Sequence, residues 1–221
     1  VTNDAAAPIV LTDENLECQY PVHPLLAERR SRMAFSSRSV DHGTLASLME
    51  AARWAPSSMN EQPWGFIVAT KQNESEFERL LSCLVEFNVQ WAKNAPVLLL
   101  SVARLTFASN GEVNRHAFHD VGQAIAGLTL QAMVSGLIVH QIAGFDVEKA
   151  RCEFSIPHDH EPVAVAAIGY PGDSSSLPDR LRKKDLGPRK RKLLTDFIFE
   201  CTWGRSATWI RSQTAKLDQR T

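Results

Sequence analysis

Two basic clusters carry the strongest chemical signal in the 221-residue sequence: Arg29-Arg30-Ser31-Arg32 near the start and Arg189-Lys190-Arg191-Lys192 near the end. Guanidinium forks and a serine hydroxyl suit a dianionic phosphate, because each gives a short, charge-assisted hydrogen bond and no glycine-rich loop is needed. Taken singly, either run also reads as a solvated face, and the second as a nucleic-acid or sorting patch. Two histidine-carboxylate groups, His116-x-x-His119-Asp120 and His158-Asp159-His160, are the remaining candidates for metal or proton chemistry. Asp120 stands where a helix is expected to begin and suits its dipole. The second group lies between Pro157 and Pro162 in an expected loop, so neither is assigned a metal. The sequence has no G-x-G-x-x-G, no G-x-x-x-x-G-K-[ST], no G-x-S-x-G and no H-E-x-x-H. Rossmann dinucleotide binding, P-loop chemistry, the hydrolase elbow and a zinc-protease helix are therefore disfavoured.

The elements that must hold these groups follow from periodicity. A short helix over Pro24 to Arg30 leads into the first basic cluster, and Asp41 caps a helix with Leu45, Leu48, Met49 and Ala52 on one face. Pro56 closes that helix, and Phe66 to Ala69 reads as a strand. Phe77, Leu80, Leu81 and Leu84 mark a second apolar helix face, Pro96 to Ala103 a buried strand, and Thr106 to Arg115 a loop or lid. From Val121 to Phe145 the chain has no Asp, Glu, Lys or Arg, yet Gln123, Gln131, His140 and Gln141 interrupt it. That pattern predicts a buried helix over 120–136 running into a strand over 137–142, not a membrane span. Asp146 caps another helix through Cys152, and Pro162 to Tyr170 is the last strand. With no compositional break, the alternation predicts one α/β or α+β domain over 23–221, preceded by an arm over 1–22.

Composition sets the class. With 24 Lys and Arg against 25 Asp and Glu, the net charge of −1 removes the bulk-electrostatic case for nucleic-acid or anionic-membrane binding. Cys18, Cys83, Cys152 and Cys201 have no paired or metal-ligand spacing, which points to reduced thiols and a cytoplasmic setting. The N-terminus lacks the basic n-region of a signal peptide.

Between the two basic clusters lies Ala55-Pro56-Ser57-Ser58-Met59-Asn60-Glu61-Gln62-Pro63-Trp64-Gly65-Phe66. Together with Arg29-Arg30-Ser31, Asn88, Asp120-x-Gly122, Gly144-Phe145-Asp146 and Arg189-x-Arg191, it resembles the FMN-dependent nitroreductase family from about Pro24 to Gly204. The resemblance implies an α+β fold, a three-layer α/β/α sandwich around a central mixed sheet, in an intertwined homodimer with two FMN sites at its interface. It implies that Arg29, Arg30 and Ser31 meet the phosphate and ribityl end, with Arg189 and Arg191 as a second phosphate contact and Met33 following in the same segment. Pro56, Ser57, Ser58, Asn60 and Gln62 would reach the flavin of the partner subunit. Asn88 would lie beside the ring, and Gln141, Ile142, Ala143 and Gly144 would line its N5 and O4 edge.

The implied activity is hydride transfer from NADH or NADPH through FMN to a nitroaromatic, quinone or similar conjugated acceptor, in ping-pong fashion and without a catalytic side chain. The same fold also serves dehalogenation, azoline oxidation and flavin cleavage, and a flavin-binding protein of little turnover is a further alternative. The sequence departs from the pattern at two places. Relatives carry a cation two positions after the serine and another three after the asparagine, where this chain has Met33 and Trp91. Arg30, Arg32 or a backbone N–H is the expected substitute. Ala143 stands where some relatives have Glu, and Phe107, Phe118 and Trp91 are candidate walls beside the ring. Trp203 is expected to pack near the dimer seam.

Overall fold

The computed structural model describes residues 18–210; the rest of the expected N-terminal arm and the end of the C-terminal extension lie outside the described residues. The elements run α1 (Pro24–Glu28), α2 (His42–Arg53), β1 (Trp64–Thr70), α3 (Glu74–Leu81), α4 (Glu86–Ala92), β2 (Val97–Arg104), α5 (Ala117–Val134), β3 (Ile138–Ile142), α6 (Val147–Glu153), β4 (His160–Gly169) and α7 (Asp179–Leu186). Asp41 caps α2 by accepting from Thr44 N at 2.9 Å, and Asp146 caps α6 through Lys149 N at 2.9 Å, as their positions predict. Periodicity alone missed α4 and α7. The first is a short helix without a long apolar face, and the second, DRLRKKDL, is almost wholly charged.

The strands form one sheet in the order β1-β2-β4-β3. Every pairing is antiparallel, which corrects the expectation of a mixed sheet for the described strands. Two helices between β1 and β2 return the chain to the end it left, so the next strand runs back. β2 and β3 both run against β4 and are therefore parallel to each other, with α5 crossing between them, but β4 separates them.

Alternation along the strands divides the core. Val97 and Leu99 face α2 and α5 with Leu48, Ala124 and Leu128, while Leu98 and Leu100 face Phe77, Leu80, Trp91 and Leu181 on the opposite side. The sheet thus lies between two helical layers, and all seven of β2's first residues are buried. Gly127 allows α5 to lie on α2, since a Cβ there would stand 2.9 Å from the Ala51 carbonyl oxygen. α5, roughly 27 Å long at 1.5 Å per residue, is the beam that carries one candidate segment in its first turns and lines the other with its later ones.

Candidate functional site

The Arg29–Arg32 segment leaves α1 and runs beside the chain that follows α7. Arg189 Nη1 donates to the Arg29 carbonyl at 2.8 Å, and Arg30 Nη2 donates to the Gly187 carbonyl. The two basic clusters, 160 residues apart in sequence, are therefore one cluster in space. Burial, and then the charges of Arg191 and Arg189, hold the Arg29 guanidinium below the usual arginine value. Mutual repulsion among three guanidinium groups is the electrostatic condition for an anion site.

Arg29 and Ser31 open onto a cavity of about 260 Å³, whose other walls are Leu26, Ala126, Thr129, Leu130, Val139 and Gln141. Arg29 Nη1 donates to Ser31 Oγ at 3.2 Å. Thr129 carries no signal in the sequence: it lies on the uncharged helix, and its hydroxyl donates back to the Ile125 carbonyl at 2.7 Å, so it lines the cavity with its donor already met. One end of the space is cationic and polar, and its walls are aliphatic.

Asn88 and Gly144 meet directly: Asn88 Nδ2 donates to the Gly144 carbonyl at 3.0 Å, and a Cβ on Gly144 would lie 2.6 Å from that nitrogen. Asn88 thus fixes the turn after β3. In that segment Gln141 and Ala143 are exposed and Ile142 is buried. Met33 is 2% exposed, with its side chain in the core and not among the cavity walls. Trp91 is likewise buried and packs on His140 with ring centroids 4.4 Å apart, so it is a core residue and no exposed wall. Phe118 remains half exposed, and Trp203 is 92% exposed in the chain, its ring tilted against Phe199 with centroids 4.9 Å apart.

Arg32, an expected substitute for the missing cation, is bound elsewhere in the chain. Its Nε donates to Asp185 Oδ2 at 3.2 Å and its Nη2 to Ser174 Oγ at 3.1 Å, which turns the guanidinium away from the cavity. Asp185 and Ser174 carried no sequence signal, because both lie in polar runs without periodicity. His140 Nδ1 lies 3.0 Å from the Arg32 carbonyl, consistent with a donated hydrogen bond; burial first, against that bond, lowers its pKa.

The Pro56–Gln62 segment lies against the first turns of α5. Ser58 N donates to the buried Asp120 Oδ2 at 2.9 Å, and Gln62 N donates to Ser57 Oγ at 3.0 Å. Glu61 Oε1 accepts from Ala108 N at 2.7 Å, fastening the loop that follows β2. Met59, Asn60 and Gln62 all have positive φ, 56°, 56° and 52°, and Met59 is 87% exposed. Gln123 Nε2 donates to the Pro56 carbonyl at 3.5 Å, and Ala126, one turn further along α5, lines the cavity; none of Pro56 to Gln62 is itself among the cavity walls.

The Nitroreductase family profile matches residues 26–170, from α1 to the end of the last strand. The chain belongs to the nitroreductase family. A solved oxidoreductase structure containing FMN superposes with a TM-score of 0.82 at 32% identity, covering 93% of this chain and 100% of the other. A putative NADH dehydrogenase/NAD(P)H nitroreductase of Streptomyces coelicolor is 30% identical over 167 residues, 66% of this chain and 81% of its own length. Iodotyrosine deiodinase 1 of Mus musculus is 27% identical over 187 residues, 73% of this chain but 66% of its own length. Among the described residues, no helix of this nitroreductase-family chain is long and apolar enough to cross a membrane.

Proposed function

We propose that this chain is an FMN-dependent oxidoreductase that draws on NADH or NADPH to reduce nitroaromatic, quinone or similar conjugated acceptors, and that it works as a homodimer. The observation that carries this reading is Arg29, with the charges of Arg189 and Arg191 close behind it, on a cavity that also takes in Ser31 and Gln141. The donor set fits FMN: one guanidinium and a hydroxyl on the cavity, with two further cations acting on that guanidinium, for a phosphate dianion, then a largely aliphatic-walled space. FMN, when bound, supplies hydride acceptance from the nicotinamide and hydride delivery to the acceptor at N5.

The protein's own work is binding and orientation. Arg29, Ser31, Arg189 and Arg191 hold the phosphate end. Gln141 to Gly144, fixed by Asn88, form the edge against which the ring is set. Pro56 to Gln62 of a second copy closes the open side, since none of these residues of the same chain lines its own cavity. No side chain is assigned as acid, base or nucleophile, and protons come from solvent. The proposed setting is cytoplasmic, with neither nucleic acid nor membrane as partner.

The test is the visible absorbance spectrum of the purified chain, before and after anaerobic NADH or NADPH. A yellow protein with about one FMN per chain, bleached within seconds by one donor, is the expected result. A colourless protein that takes up no added FMN would overturn the reading. The deiodinase relatives support a second reading, reductive dehalogenation on the same cofactor. Iodide release from iodotyrosine, with no turnover of nitroaromatics or quinones, would select it.

A further inference from the structure

Asp185 is 1% exposed and lies beyond the part of the chain that the family profile matches. It is the anion set into the basic cluster. Its Oδ1 accepts from Met33 N at 2.5 Å, across 152 residues of sequence. Its Oδ2 accepts from Ser174 Oγ at 2.6 Å and from Arg32 Nε at 3.2 Å. Ser174 Oγ also accepts from Arg32 Nη2 at 3.1 Å, closing a ring of three side chains. The backbone of the first basic cluster is thereby fixed at successive points: the Arg29 carbonyl by Arg189, the Arg32 carbonyl facing His140, and the Met33 amide by Asp185. With Arg32 and Met33 held inward, Arg29 and Ser31 are the members of the segment left to line the cavity.

We propose that Asp185 is a positioning residue for the cofactor's phosphate: by holding Arg32 and the Met33 amide, it sets Arg29 and Ser31 at the spacing a phosphate dianion requires. The inference rests on the FMN reading above. Asp185 does not line the cavity, and one carboxylate inside a set of cations is tolerated because it satisfies three donors at once, the Met33 amide and the Ser174 hydroxyl among them buried. An asparagine of the same shape would still accept the Met33 N–H, but its amide nitrogen would meet the Arg32 and Ser174 donors. Arg32 would then turn outward and the Arg29–Ser31 spacing would be lost.

The phosphate end can be isolated by comparing FMN with riboflavin, which lacks the phosphate. Both are titrated into the full chain by quenching of flavin fluorescence, in the wild type, Asp185→Asn and Ser174→Ala. The wild type is expected to prefer FMN at least tenfold. Asp185→Asn should cut that preference by about tenfold, the scale of one charge-assisted hydrogen bond, while riboflavin binding stays within about twofold. Ser174→Ala, the milder change, should cut it about threefold and decides the matter if Asp185→Asn does not fold. Equal loss of both ligands, or an unchanged preference in Ser174→Ala and in any folded Asp185→Asn, would overturn the positioning role. A wild type that binds flavin without preferring FMN would instead overturn the phosphate assignment beneath it, and the proposal with it.

Discussion

Replacing Arg29 by Met should move stability and ligand binding in opposite directions. In the free protein, the Arg29 guanidinium is disfavoured by burial and by Arg191 and Arg189. Removing it relieves that repulsion, and the backbone carbonyl that anchors Arg189 is untouched by the substitution. The free variant is therefore expected to unfold at the same temperature as the wild type or slightly higher. The phosphate, however, loses a charge-assisted bond of about 1.5–3 kcal/mol, which weakens FMN roughly 10- to 150-fold. At a concentration one hundred times the wild-type Kd, FMN stabilises the wild type by about 2.7 kcal/mol. A variant that binds one hundredfold more weakly then has ligand at its own Kd and gains only ~0.4 kcal/mol. For a chain of this length the difference of ~2.3 kcal/mol corresponds to roughly 5–9 °C in the FMN-induced rise of Tm. Thermal unfolding with and without FMN reads both effects in one experiment. A free variant that loses several degrees yet keeps the full FMN-induced rise would refute the reasoning, because Arg29 would then be a structural cation and not a ligand-binding one.

Asp120→Ala strands the Ser58 amide that now donates to a buried carboxylate, and is expected to cost about 1–3 kcal/mol in urea unfolding; a loss below 0.5 kcal/mol would show that the loop holds itself. His140 is held below the ordinary histidine value of 6.5, chiefly by burial, so the unfolded chain binds its proton more readily than the folded one. Its contribution is complete above about pH 6.5 and is lost as pH falls through the folded value, and His140→Gln should flatten that part of the stability profile. The Arg32 carbonyl and Asp185 raise this pKa while Lys184 and Arg29 lower it, so a steeper profile in the variant would contradict the assignment. Gly172→Ala would place a Cβ 2.5 Å from the Phe35 carbonyl carbon and oxygen, where backbone must move. A loss of about 1–3 kcal/mol in thermal or urea unfolding is expected, and an unchanged Tm would mean that the contact yields freely.

What could be read from the sequence is what local physics writes there. The caps at Asp41 and Asp146 have their own side chains as the signal, and strands β2 and β4 announce themselves by continuous apolar runs. The union of Arg29 with Arg189 was legible only through the family resemblance, because a contact across 160 residues has no periodicity. The fate of Arg32 was not legible at all. Whether a guanidinium faces a cavity or a buried carboxylate depends on Asp185, whose helix has no apolar stripe to reveal it. Met33 was misleading for the same reason: its place two residues after Ser31 is plain, but side-chain direction is decided by the hydrogen bond from its backbone N–H to Asp185 and by the core that receives the thioether.

The loop against the first turns of α5 poses an energetic question that a single chain does not answer. Met59, Asn60 and Gln62 sit in the left-handed region, which costs a non-glycine residue of order 1–3 kcal/mol, somewhat less for asparagine. Asp120, Ser57 and Glu61 hold the loop in that shape through three hydrogen bonds to its own chain or the neighbouring turn. Those bonds offset the cost but gain nothing from the strained geometry itself, since a relaxed loop would find water for the same groups. The proposed dimer supplies the missing term. A loop that is rigid before it meets the partner's flavin loses little conformational entropy on docking, so strain accepted during folding is returned as affinity at the shared site. The buried Asp120 is then the link between the two sites of the dimer. It stands in the first turn of the helix whose later turns wall one cavity, and it holds the loop that closes the other.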